Sequence, residues 1–152
     1  MSRRARLALY LYGIAVLVYA VDRVTKWIAH EKLAGRPPID LIPGVVRLRY
    51  TTNTGGAFGL FGGQAWLFFL ATLVVCLVIA AASTRLASTS SAVGLGLILG
   101  GALGNLTDRL VRGPRGVIDF IDFRKWPVFN AADSAIVIGA FVILVAGIVH
   151  RD

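Results

Sequence analysis

Apolar residues gather in four long runs, at 7–21, 65–82, 92–106 and 135–149, separated by shorter polar stretches. Each run falls somewhat short of the ~20 residues a membrane-spanning helix needs, and flanking residues extend each of them. The expected spans are 7–29, 64–82, 92–110 and 131–149. A soluble four-helix bundle would keep a polar face on every helix, but the run at 65–82 (A-W-L-F-F-L-A-T-L-V-V-C-L-V-I-A-A-A) is apolar all round. The pattern predicts an all-α membrane protein with four transmembrane helices in a single domain.

The polar interval between the first two runs has its own order. A Gly/Pro break at 34–38 precedes Val46-Arg47-Leu48-Arg49-Tyr50-Thr51, whose alternation predicts a half-exposed strand. A small β-structured segment between helices one and two is therefore expected, lying on the membrane surface on the side opposite the termini. Residues 53–63 follow, with five glycines among bulky aromatics. Their backbone freedom permits close approach to another chain, with Phe58, Leu60 and Phe61 placed to enter lipid or clasp an acyl group. In the third run Gly96, Gly100 and Gly104 repeat every fourth residue, a spacing that lets another helix pack closely.

Composition agrees with the pattern: 57% of the 152 residues are hydrophobic and the mean hydropathy is +0.74, well above soluble domains. The basic start, Arg3, Arg4 and Arg6, is shared with signal peptides, but Asp22, Arg23, Thr25, Lys26 and Trp27 follow the first run where a small-residue cleavage site would lie. A retained first helix is expected. Cys76, mid-span, reads as a small apolar filler. The net charge of +8 is scattered between spans instead of clustered on one soluble face, which excludes nucleic acid as the expected partner and favours anionic lipid headgroups. Orientation is in conflict. The side holding both termini carries Arg3, Arg4, Arg6, Arg85 and Arg151, and the opposite side carries the other eleven of sixteen Lys and Arg. A bare count places the termini outside, whereas the leading arginine triplet places them in the cytoplasm.

The chemistry concentrates between 117 and 134, V-I-D-F-I-D-F-R-K-W-P-V-F-N-A-A-D-S, where Asp119, Asp122 and Asp133 stand at the mouth of the fourth run. A carboxylate at the edge of a membrane helix is costly unless it is used. The histidines, His30 and His150, are predicted on opposite sides of the membrane, and no H-E-x-x-H, G-x-S-x-G or phosphate-binding glycine loop occurs. A Ser134 pair with Lys125 or Lys26 has no supporting pattern. Two carboxylates remain, Asp119 and Asp133, sharing one proton over an attacking water. The helix dipole favours charge on Asp133 and leaves Asp119 as the protonated partner, although a coupled pair titrates jointly. Asp22 and Lys26, four apart, share a helix face, as do Asn105 and Arg109 with Asp108 beside them. Asn130 and Asp133 have the spacing of a helix cap. Asp122 reads as a solvated or structural carboxylate. A proton-coupled transporter or channel is the alternative from another class, and a catalytically silent assembly factor a third. Both fit less well, because Asp22, Asp108, Asp119 and Asp133 fall at one membrane edge and not at mid-span.

Five separated motifs now stand in one order: D-R-V-T-K at 22–26, N-T-G-G-A-F at 53–58, G-A-L-G-N-L-T-D-R at 101–109, V-I-D-F at 117–120 and F-N-A-A-D-S at 129–134. Through them nearly the whole chain resembles the bacterial lipoprotein signal peptidases, also called signal peptidase II or prolipoprotein signal peptidase. The resemblance implies an aspartic endopeptidase of the bacterial inner membrane with four spans, cytoplasmic termini and a site near the outer leaflet. Asp119 and Asp133 match the catalytic pair. Asp22, Lys26, Asn53, Gly55, Gly101, Asn105, Arg109 and Asn130 match supporting or substrate-contacting positions. The implied substrate is a diacylglyceryl-modified prolipoprotein cut on the amino side of its lipidated cysteine. Globomycin-type inhibitors, membrane lipids and a monomeric state are implied as well, and no metal or organic cofactor.

Overall fold

The chain was analysed as a computed structural model, which describes residues 1–54 and 65–149. Gly55, the large apolar residues Phe58, Leu60 and Phe61, and the terminal His150 and Arg151 lie outside the described residues.

Four helices carry the apolar runs: α1 (Arg3–Leu33), α2 (Ala65–Ala82), α3 (Thr89–Arg112) and α4 (Ala131–Val149). All four are long and apolar enough to cross a membrane. The first extends beyond its expected span at both ends. Its start is fixed by Ser2, whose Oγ accepts a hydrogen bond from Ala5 N at 3.2 Å, and its end runs on because Leu33 is buried against the sheet. Ser88 caps α3 in the same way as Ser2 caps α1. Large apolar side chains such as Leu17, Leu77, Val137 and Phe141 are exposed on the outer faces, as a lipid environment requires.

Glycines set the spacing of three helices. A side chain at Gly96 or Gly100 would strike the α1 carbonyls of Leu11 and Ala15, and one at Gly104 the carboxylate of Asp22. One turn round, Gly101 lies on the Ala132 carbonyl of α4, and Gly94 meets Gly139 backbone to backbone. The doubled glycine repeat thus seats α3 on α1, and a second set seats it on α4.

The polar segments form a three-stranded antiparallel sheet, β1 (Ile39–Ile42), β2 (Val46–Asn53) and β3 (Val117–Asp122), in the order β1-β2-β3. The expected β segment between the first two helices supplies two of the strands, and the α3–α4 connection supplies the third. Arg47 pairs with Asp122 and Leu48 with Ile121, but further along Thr51 pairs with Asp119 and Asn53 with Val117. One extra residue in β2 accounts for the shift. Such a bulge turns the residues beyond it to the other face, so Thr51 and Asn53 share the face of Asp119 while Arg47 and Arg49 stay opposite.

Beyond β3 the chain folds back on itself. Phe129 exchanges backbone hydrogen bonds with Ile121, donating at 3.1 Å and accepting at 2.9 Å, which returns Asn130 to the side of Asp119.

Candidate active site

Asp119 is 2% exposed and points from β3 toward the start of α4. Asn130 Nδ2 donates to its Oδ1 at 2.7 Å and also to the Ile118 carbonyl at 3.2 Å. The same residue caps α4. Its Oδ1 accepts from Asp133 N at 2.9 Å, and Asp133 Oδ2 accepts from Asn130 N at 3.2 Å. This is the reciprocal capping box that the spacing of 130 and 133 predicts. Capping and site support therefore coincide in one residue: the Asn130 side-chain amide holds the Asp119 carboxyl, and its backbone amide holds the Asp133 carboxyl.

A second amide completes the frame. Asn105 Nδ2 donates to Asp133 Oδ1 at 2.8 Å, while its Oδ1 accepts from Asn130 Nδ2 at 3.2 Å and from Lys26 Nζ at 2.9 Å. An amide has distinct donor and acceptor ends, so the Lys26 ammonium at the oxygen directs the nitrogen onto Asp133.

Lys26 is wholly buried and pairs with two carboxylates, Asp22 at 2.9 Å and Asp108 at 3.0 Å. Asp22, also wholly buried, accepts from Ala132 N at 3.1 Å. It thereby satisfies an orphan amide in the first turn of α4 from a different helix. Asp108 takes Arg23 Nη1 at 2.7 Å and the Ile118 amide at 3.1 Å, tying α3 to the strand residue preceding Asp119. Neither Arg23 nor Asp108 stands among the residues predicted for the site. Their signal was present in the D-R-V-T-K and N-L-T-D-R motifs, but only the folded chain brings them together.

The structure collects Asp22, Lys26, Asn105, Asp119, Asn130 and Asp133 into one polar frame. Asn53 adds a side-chain hydrogen bond to Asp119 from the bulged end of β2. Gly101 acts through close packing on α4. Arg109 reaches back to the Asn105 carbonyl at 3.4 Å and lies 6.0 Å from the Phe68 ring centre, a cation–π distance. Gly55 lies outside the described residues. Asp122 faces away, taking Arg47 at 2.8 Å, Arg49 at 3.0 Å and the Arg124 amide at 2.7 Å.

Burial pushes the Asp119 carboxyl up to about 7, and the nearby charge of Asp133 adds to the rise. On the other face the two arginines and the Arg124 amide outweigh desolvation and hold Asp122 below the ordinary carboxylate range.

Of the cavities bordering the frame among the described residues, two lie beside Asp119, Asp133 or the groups that touch them. One of about 530 Å³ is lined by Asn53, Thr54, Trp66, Phe69, Arg109 and Gly116. The other, about 400 Å³, lies between Asp133, Ser134, Val137 and Ile138 of α4 and the rings of Trp126 and Phe129.

The family model described as signal peptidase (SPase) II matches residues 14–149. The chain belongs to the signal peptidase II family. It is accordingly a membrane peptidase, a hydrolase of peptide bonds. Among members of this family, the lipoprotein signal peptidase of Syntrophomonas wolfei is 46% identical over 136 residues, covering 88% of this chain and 89% of that one. That of Rhodococcus jostii is 42% identical over 148 residues, covering 95% of this chain and 75% of the relative. Of solved structures, a bacterial membrane enzyme determined by the in meso method at 1.9 Å resolution superposes with a TM-score of 0.80 at 31% identity, covering 93% of each chain.

Proposed function

We propose that the chain is an aspartic endopeptidase that removes signal peptides from diacylglyceryl-modified prolipoproteins, cutting on the amino side of the lipidated cysteine. The observation that carries this reading is Asn130, whose side-chain amide donates to the Asp119 carboxyl and whose backbone amide donates to the Asp133 carboxyl, at one edge of a four-span membrane protein.

At neutral pH Asp119 is poised to hold a proton and Asp133 serves as the base. As a water oxygen attacks the scissile carbonyl carbon, Asp133 takes a water proton and Asp119 donates its proton to the carbonyl oxygen. The tetrahedral intermediate is then a neutral diol. On collapse its hydroxyl proton returns to Asp119, the proton on Asp133 passes to the leaving nitrogen, and the carbon–nitrogen bond breaks. Acid and amine leave with both aspartates restored. Asn105 and Asn130 hold the carboxyl oxygens in place throughout.

The proposal extends to an inner-membrane protein with cytoplasmic termini and the site near the outer leaflet. Five of the eleven basic residues on the site side, Arg23, Lys26, Arg47, Arg49 and Arg124, are ion-paired. Their pairing weakens the bare Lys/Arg count that argued for the reverse orientation. The proposal includes action as a monomer. Inhibition by globomycin-type cyclic peptides and contact with membrane lipids belong to the same reading.

The test is incubation of the purified protein with a diacylated lipobox peptide and its unlipidated twin. Cleavage of the lipidated peptide, reduced at least a thousandfold in Asp119→Asn and in Asp133→Asn, is expected. Cleavage of neither peptide, or full activity in both variants, would overturn the proposal.

A further inference from the structure

The slot between α4 and the Trp126–Phe129 turn has no place in the chemistry just described, although Asp133 forms part of its wall. We infer that it is the acyl-chain subsite: a hydrocarbon chain of the lipidated cysteine lies in it, and the polypeptide occupies the cavity on the Asn53 and Arg109 side. This inference rests on the peptidase reading above.

The chemistry of the two walls decides which ligand part goes where. Ser134, Val137 and Ile138 recur at helical spacing along the outer face of α4, with Val137 68% and Ile138 54% exposed. On a membrane-spanning helix such a face meets lipid tails. Among the described residues the one hydroxyl lining the slot is already engaged, since Ser134 Oγ donates to the Asn130 carbonyl at 3.0 Å. A peptide strand laid there would leave its backbone groups unmatched, at a cost of several kcal/mol each in an apolar setting. A hydrocarbon incurs no such cost. The opposite cavity carries the Asn53 amide, the Thr54 hydroxyl and the Arg109 guanidinium, the donors and acceptors an extended peptide needs.

The roof of the slot is built in advance. Phe129 is held by its backbone pairing with Ile121 and by stacking on Phe123, ring centres 5.7 Å apart and 5° from parallel. Trp126 overhangs beside it. A chain entering laterally from the bilayer therefore meets a shaped apolar slot with Asp133 in its wall. A substrate anchored there holds the bond next to its lipidated residue against the two aspartates, so acyl anchoring becomes positioning of the scissile bond.

The experiment uses the purified full-length protein in phosphatidylcholine nanodiscs and lipobox peptides with sixteen-carbon or eight-carbon diacylglyceryl groups. Val137→Trp and Ile138→Trp fill the slot from the lipid side. Each is expected to raise KM for the long-chain peptide at least tenfold and to erase the preference for long over short chains. Leu144→Trp, further along the exposed face of α4, should leave both KM values unchanged. A photoreactive diazirine near the end of the acyl chain should label Trp126, Val137 or Ile138 in the unmodified protein, a readout independent of how the variants fold. Long-chain KM values unchanged in both tryptophan variants, or labelling confined to Trp66 and Phe69, would overturn the inference while leaving the peptidase reading intact. Equal labelling of the slot by a diazirine phosphatidylcholine that the peptide does not displace would mark an annular lipid site and also overturn it. Failure of the unmodified protein to cleave any lipidated peptide removes the peptidase reading and this inference together.

Discussion

Asp119 and Asp122 stand three residues apart on one strand and point to opposite faces of the sheet, one to Asn130 and the other to Arg47 and Arg49. An odd separation on a strand produces this divergence, and the bulge in β2 delivers a different set of partners to each face. Asp122→Asn is expected to leave cleavage within threefold of the parent, whereas Asp119→Asn abolishes it. Both arginines reach solvent, so the stability lost in Asp122→Asn should stay below about 1 kcal/mol in neutral low-salt buffer. Because the Asp122 carboxyl lies below its unfolded value, that contribution is present above the unfolded pKa and fades as pH falls through the folded one. The gap between thermal melts of the two proteins should therefore hold from pH 7 to the ordinary carboxylate range and narrow only below it.

For Asp119 the sign is reversed. Its carboxyl, raised to about 7, is ionised in the unfolded chain above roughly pH 4 but stays protonated in the folded one until pH 7. Over that interval the folded state binds more protons, so stability declines as pH rises. The full cost at pH 8 is up to about 4 kcal/mol at 1.36 kcal/mol per pKa unit. Asp119→Asn is expected to melt above the parent at pH 8 and level with it near pH 4. Cleavage by the parent should fall as pH rises through about 7, since the proton-donating form is lost.

Asn130 joins two duties that substitution can separate. Serine keeps a capping oxygen but cannot reach Asp119, whereas alanine removes both contacts. Asn130→Ser is expected to hold stability within about 0.5 kcal/mol while Asn130→Ala loses about 1 kcal/mol. Both should cleave at least a hundredfold more slowly. Denaturant melts paired with initial rates check the split, and equal rates for Asn130→Ser and the parent would assign the residue to capping alone.

Lys26 is the shared counter-charge of Asp22 and Asp108. Lys26→Met preserves most of its length but leaves buried Asp22 without its counter-charge and Asp108 with Arg23 alone, which is expected to destabilise the protein by about 3–5 kcal/mol. It also frees the Asn105 amide to turn, so residual folded protein should cleave poorly even at low temperature. Melting in detergent at several pH values checks the first effect, with partial recovery toward acid pH as the orphaned Asp22 carboxylate protonates.

The four helices were legible because lipid demands apolar surface all round, and such runs read plainly in the residues at 65–82 and 135–149. The hairpin was half legible. Val46–Asn53 alternates because one face is wet, but β3 reads Val-Ile-Asp-Phe-Ile-Asp and is buried on both faces, so no period of two marks it. The site was legible as a set of residue types at one membrane edge. Its wiring was not: the returns of Phe129 to Ile121 and of Asp108 to Ile118 join separate elements, and no local spacing marks them. Residue spacing also cast capping and site support at Asn130 as rivals, yet an amide has two ends and serves both.

The glycine seam bears on how this protein can be made sturdier. In most helices exchanging glycine for alanine stabilises by about 1 kcal/mol through reduced freedom of the unfolded chain. At Gly96, Gly100, Gly101 and Gly104 the added methyl would meet backbone carbonyls or the Asp22 carboxylate, so the exchange should instead wedge helices apart and shift Asp133 away from Asp119. Gly13 and Gly147 have open space around the same methyl. Alanine at those two positions is the conservative route to a thermostabilised variant, with the alignment of the two aspartates left alone.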